Sequence, residues 1–218
     1  QQRLDDIREQ LWNPLENLTF GGYMKGKSMS FIGNTEGKYM HTNFIGYRFE
    51  SDQPNERHEI DIFLHVSQTK TLSEWETQLD SLKQNKNTKI EAWKKNMIRW
   101  EQFWNRSHIV INDGKGVGDQ GWEIGRNYQL FRYILACNAY GDYPSKFNGS
   151  LFTVDNPDDL TPDFRMWGGG SFTAQNQRLV YWPMLRSGDF DMMHSQFKYY
   201  LRAKNNAELR TQHYWGHN

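Results

Sequence analysis

A chain of 218 residues is long enough for one or two domains with a sizeable core. Its 26 basic and 26 acidic side chains cancel and no basic block stands out, which speaks against a nucleic-acid partner. The single cysteine, Cys137, leaves no disulfide framework or thiolate metal cluster, and no apolar run approaches the roughly 20 residues of a membrane span.

The N-terminal stretch "QQRLDDIREQLW" is polar and acidic, unlike a signal peptide. Leu4, Ile7 and Leu11 recur at helical spacing, so a short helix is predicted over 1–12, stopped by Asn13-Pro14. From Thr19 to Ser67 the character is β, in short aromatic runs punctuated by glycine. In "HEIDIFLHV", Ile60, Ile62, Leu64 and Val66 alternate with Glu59, Asp61, Phe63 and His65, which predicts a strand with one apolar face. So few strands read as the end of a β domain.

The period then changes. Thr71 and Glu74 form a capping box, followed by Leu72, Trp75, Leu79 and Leu82 at helical steps. "QNKNTK" breaks this helix. A second carries Ile90, Trp93, Met97, Trp100 and Trp104 on one stripe, expected to be a packing seam. "NDGKGVGDQG" is loop, and the helix predicted over 123–139 is apolar nearly all round, so burial on two sides is expected, with Cys137 in the core. Residues 141–173 are rich in Gly and Pro, a length of loop that is usually functional. A helix over 174–185, kinked at Pro183, and an amphipathic helix over 189–205, with Phe190, Met193, Phe197 and Leu201 on one face, complete the pattern.

Aromatic content is high, with nine Trp, eleven Tyr and thirteen Phe. Flat rings with polar tips suit sugars, which present C–H faces and hydroxyls together. Asn148–Trp182 is the densest stretch in candidate ligands. In "PDFRMWGGG", Asp163, Arg165 and Trp167 lie two apart and would share one side of an extended backbone. The glycines that follow permit close ligand approach or a simple turn. Asn176 and Gln177 then fall in the first turn of a helix, where free N–H groups gather, and Trp182 lies further along it. His213 and His217 stand four apart but lack the Glu of a zinc-binding HExxH, and Gly216 disfavours a helix there; His217 is expected to hydrogen-bond ligand, and neither metal nor cofactor is expected.

"WEQFWNRSHIVI", "NAYGDYPSKFNGSLF" and "MWGGGSFTAQNQRLVYWP", in that order, resemble landmarks of a bacterial clan of (α/α)6-barrel carbohydrate enzymes. The clan includes inverting α-L-fucosidases and disaccharide phosphorylases, and the nearest resemblance is to a branch described as a domain of unknown function. The resemblance implies the last strands of a β-sandwich over 1–68, a helical linker over 69–111 and the first helices of an incomplete barrel over 112–218. It implies an inverting glycoside hydrolase, or a phosphorylase or non-catalytic carbohydrate binder that kept the barrel, in a periplasmic or secreted parent. Asn176 aligns with the second of two Asn that position the attacking water in the fucosidases, whereas the first aligns with Ala174. "FNGSLF" places Asn148 near the pocket. The general acid and base are expected on later helices, in the remainder of the parent barrel.

Overall fold

The computed structural model describes residues 3–39, 42–84, 89–145 and 174–217. Small antiparallel sheets come first and helices follow. The residues gather into two compact units. One runs from Asn13 to residue 84; the other combines the N-terminal segment to Trp12 with the residues from Lys89 onward.

In the first unit, β1 (Leu18–Gly26) pairs antiparallel with β4 (Ile60–Gln68), and β2 (Met29–Tyr39) with β3 (Thr42–Ser51). The two ladders follow one another along a single long hairpin. Gly26 faces Ile60, the chain steps through Lys27 and Ser28, and Met29 then faces Ser51. Bonds from Lys27 N–H to the Glu59 carbonyl (2.9 Å) and from Asp52 N–H to the Ser28 carbonyl (3.1 Å) carry the pairing across the break. Ser28 sits at φ 53°, a left-handed turn residue. A bulge between Phe31 and Gly33 shifts the second ladder, and Gly33 takes φ 124°, which favours glycine.

Helix α1 (Leu72–Lys83) begins at the predicted cap. Thr71 Oγ1 accepts the Glu74 N–H at 3.2 Å, and the Glu74 carboxylate accepts the N–H of Lys70 at 3.0 Å, so the box is displaced by one residue. Its buried Trp75 and Leu79 face the sheet. The Trp75 ring lies 5.7 Å from that of His65, and a Cβ on Gly21 would come within 3.0 Å of the indole. Gln78 Oε1 meets His65 Nε2 at 2.8 Å and accepts from Ser67 Oγ at 2.7 Å.

Helix α1 therefore covers the face of Phe63, His65 and Ser67, the less apolar one. The predicted apolar face of β4 is the open one: Ile60, Ile62, Leu64 and Val66 are exposed, with Leu64 74% and Phe20, the partner of Val66, 80% accessible. The physical reason is fit. Gly21 leaves room for an indole on one face, and no described element covers the other.

In the second unit the predicted N-terminal helix is a short 3-10 turn, Asp5–Gln10. The main helices are α2 (Lys89–Arg106), α3 (Gln120–Asn138), α4 (Ala174–Ser187) and α5 (His194–Trp215), with a 3-10 turn at Phe190–Met193 before α5. The core joins Phe103 to Leu135, Ala136, Ala139, Val180, Tyr181, Met184, Met192 and Met193, with Trp100 and Trp104 packed against it. Gly125 of α3 lets the backbone of Ile109 pass close, since a Cβ there would stand 2.8 Å from the Ile109 carbonyl oxygen. The N-terminal segment lies along α5: the Asn206 amide accepts the Trp12 N–H at 2.8 Å and donates to the Trp12 carbonyl at 2.6 Å.

Burial corrects several expectations here. The α2 stripe is a seam only toward its C-terminal end: Ile90, Trp93 and Met97 are exposed. On α3 only one side is covered, by Gly125, Arg132, Leu135 and Ala136; Ile124, Leu130 and Phe131 are exposed, and so is Cys137. On the last helix Met193 is buried, but Phe190, Phe197 and Leu201 are exposed. In each case a side chain with apolar character lies on a face for which the described residues supply no neighbour. Helix α5 also runs ten residues past its predicted end at Asn205, and Gly216 at φ 70° closes it, donating its N–H to the Gln212 carbonyl at 2.9 Å.

Candidate functional site

The C-terminal end of α2, the middle of α3 and the connection from α4 to α5 converge on Asp189. Arg132 donates from Nε and Nη2 to the two Asp189 carboxylate oxygens, at 3.0 and 2.8 Å. Both side chains are excluded from water. The same guanidinium donates to the carbonyls of Phe103 (3.2 Å) and Ser107, at the C-terminal end of α2 where carbonyls lack helical partners. Asp189 also accepts from Ser187 Oγ at 2.5 Å and meets Arg106 Nε at 3.2 Å. A carboxylate has about four acceptor sites, so this one is saturated.

Arg106 continues outward. Its Nη1 pairs with Asp191, whose other oxygen accepts from the Tyr140 hydroxyl at 2.7 Å. Burial opposes the Arg106 charge, but the hydrogen bond to Asp191 and the charges of Asp189 and Asp191 outweigh it and hold its pKa above the ordinary value. Burial likewise pushes Asp191 up, and the bonds from Tyr140 and Arg106 bring it below the usual carboxylate range. Tyr140 is raised, by burial first and then by Asp191.

Around this outer pair lies a cleft of about 390 Å³. Trp100, Phe103 and Ala136 form its apolar wall, and Arg99, Gln102, Arg106, Tyr140 and Asp191 its polar one. The arrangement offers donors, an ionised acceptor and apolar surface within reach of one small polar ligand.

The residues expected from sequence have other placements. Asn148, Asp163, Arg165 and Trp167 lie outside the described residues. Asn176, Gln177 and Trp182 share α4. Gln177 is buried, and its Nε2 has no hydrogen-bond partner among the described residues. Trp182 is 60% accessible, with the Arg178 guanidinium 5.2 Å from its ring. One turn along from Gln177, the Tyr181 hydroxyl accepts the Ser145 N–H at 3.1 Å, and burial raises its pKa. His217 is exposed beyond the end of α5, whereas His213 lies within the helix and its Nε2 meets the Arg3 carbonyl at 3.0 Å. The two histidines do not form one helical face. Among the described residues no group of three or more His, Cys, Asp or Glu could hold a metal ion. No described helix is long and apolar enough to cross a membrane.

Sequence reasoning missed Arg99, Arg106, Arg132, Tyr140, Asp189 and Asp191 altogether. One signal was available: an Arg in the middle of an otherwise apolar helical face, as Arg132 is, must find a buried acceptor or turn outward.

The model of the family described as Domain of unknown function (DUF5703) matches residues 1–109. No curated protein and no solved structure matches the chain.

Proposed function

The chain belongs to that DUF5703 family, a membership that carries no activity of its own, and on the residues themselves we propose that it is part of a carbohydrate-active protein, an inverting glycoside hydrolase. The observation that carries this reading is helix α4: an accessible Trp182 beside Arg178 on its outer side, and on its inner side a buried Gln177 amide whose Nε2 has no hydrogen-bond partner among the described residues. An accessible indole and an amide are the groups that hold a sugar's C–H face and its hydroxyls. In this reading Asn176 positions the attacking water. In the same reading residues 1–68 are the end of a β-sandwich, 69–111 a helical linker and 112–218 the start of an (α/α)6 barrel, and the acid–base pair lies on later helices of a periplasmic or secreted parent.

A second reading is a non-catalytic carbohydrate binder. It is favoured by the lining of the cleft, where the described residues supply one carboxylate, Asp191, and not the pair that glycoside hydrolysis uses.

The experiment is a panel of oligosaccharides assayed for both binding and product release, with and without phosphate, on the full-length parent and its Asn176→Ala variant. Product release with kcat lowered about a hundredfold in the variant and an unchanged melting temperature supports hydrolysis through Asn176. Phosphate-dependent release identifies a phosphorylase. Binding without turnover supports the second reading. No binding to any glycan overturns both.

A further inference from the structure

Within the α2–α3 cleft the two arginines differ in their partners. Arg106 is engaged by Asp189 and Asp191. Arg99, two turns earlier on α2, has no carboxylate partner among the described residues. Its guanidinium lies 4.5 Å from the Tyr140 ring centroid and 5.2 Å from that of Trp100, and its Nη2 reaches the Ala136 carbonyl at 3.5 Å, the outer limit of a hydrogen bond. A guanidinium carries five donors in a flat fork that matches a carboxylate. Aromatic faces and a hydrogen bond to the Tyr140 hydroxyl hold this fork at the cleft wall, and no carboxylate among the described residues neutralises it.

Across the cleft the demand reverses. Asp191 is ionised and can only accept, and its bonds from Arg106, Tyr140 and its own backbone N–H leave about one of its four acceptor sites open. A ligand that satisfies both sides brings an anion to Arg99 and hydroxyl donors to Asp191, with an apolar face toward Trp100 and Phe103. The volume of about 390 Å³ accommodates one six-membered sugar ring with its substituents. A doubly charged phosphate beside Asp191 would be repelled, whereas a single carboxylate leaves the cleft balanced: two cations against Asp191 and one ligand charge.

We propose that this cleft binds a hexuronate unit, with its carboxylate on Arg99 and its hydroxyls donating to Asp191. The choice of a sugar rests on the carbohydrate reading above; the choice of an acidic one rests on Arg99.

Isothermal titration of the protein with glucuronate, galacturonate, glucose, galactose and glucose 6-phosphate tests it. At least one uronate is expected to bind, and its neutral counterpart to bind about tenfold more weakly or worse, since a hydrogen bond to a charged group is worth that much. Affinity for the uronate should fall as salt rises from about 20 to about 200 mM. Arg99→Gln should remove the preference for the acid, and Arg99→Lys should keep part of it. Arg99 is exposed, so neither change threatens the fold. Equal affinity for acid and neutral sugar, tighter binding of the phosphate ester, or a preference untouched by Arg99→Gln would each overturn the proposal. Neutral glycans that bind with sensitivity to Trp182→Ala but not to Arg99→Gln would overturn the cleft assignment and leave the carbohydrate reading standing.

Discussion

Arg132 and Asp189 meet through two parallel hydrogen bonds in a space closed to water, and each is the other's only opposite charge of comparable burial among the described residues. Taking either ion out of water is costly, and the pair holds because the remaining donors and acceptors are also satisfied. We expect Asp189→Asn to destabilise the protein by about 3–5 kcal/mol, since it strands a buried guanidinium. The double variant Arg132→Met/Asp189→Leu should recover most of that loss. Urea midpoints of the single and double variants check this. A double variant no more stable than the single would show that the hydrogen bonds to Phe103 and Ser107 dominate.

Phe103 and Trp93 lie on the same helix with opposite burial. Phe103→Ala should cost about 3–5 kcal/mol through lost transfer energy and a cavity beside Leu135 and Met184. Trp93→Ala should stay within about 0.5 kcal/mol, as exposed substitutions do. Thermal melts of the two variants side by side test the contrast, and equal losses would mean that Trp93 is covered in solution.

Asp191 has a folded-state pKa below its unfolded one, so its contribution to stability is present above the ordinary carboxylate value of about 3.9. It is lost as pH falls through the folded value. Asp191→Asn should therefore flatten the acid limb of the stability–pH curve below about pH 4 and leave its slope near neutrality unchanged. Denaturant titrations between about pH 2.5 and 7 measure this; an unchanged acid limb would place the linkage on other carboxylates.

Asp119 caps α3, its Oδ1 accepting the Trp122 N–H at 2.9 Å and the Asn112 amide at 2.8 Å. The Trp122 bond, then the Asn112 bond, lowers its pKa. Asp119→Ala should lower the unfolding midpoint, and Asp119→Asn should lower it less, because asparagine caps nearly as well. A loss confined to Asp119→Ala in equilibrium unfolding would identify the cap as the cause.

Periodicity carried the elements well. Thr71 and Glu74 mark the start of α1, and the alternation in "HEIDIFLHV" marks β4, whereas nothing in the sequence shows that β4 pairs with β1. What periodicity could not tell is which face finds a partner. Ile62 and Leu64 signal burial as clearly as Leu79 does, yet only Leu79 meets an opposing surface in the described residues. Beyond Asn205 the apolar face gives out although the helix continues, and Gly216, which disfavours a helix spanning His213 and His217, instead closes α5 from the left-handed region. The candidate residues were chosen from local composition, which brought Gln177 and Trp182 into view. Arg132, Asp189 and Arg106 are separated along the chain by tens of residues, and no local pattern links them. Their association exists only once α2, α3 and the α4–α5 connection have packed.

The long hairpin has a consequence for amide hydrogen exchange. Each described strand has one strand neighbour, so along β1 and β4 alternate N–H groups point into the ladder and the rest point away from it. Deuterium should enter β4 with a period of two, every second amide exchanging as though it were in a loop. Binding of any further strand along that edge would convert the alternation into continuous protection, so the exchange pattern of nine residues, Ile60–Gln68, reports directly on whether the sheet is finished.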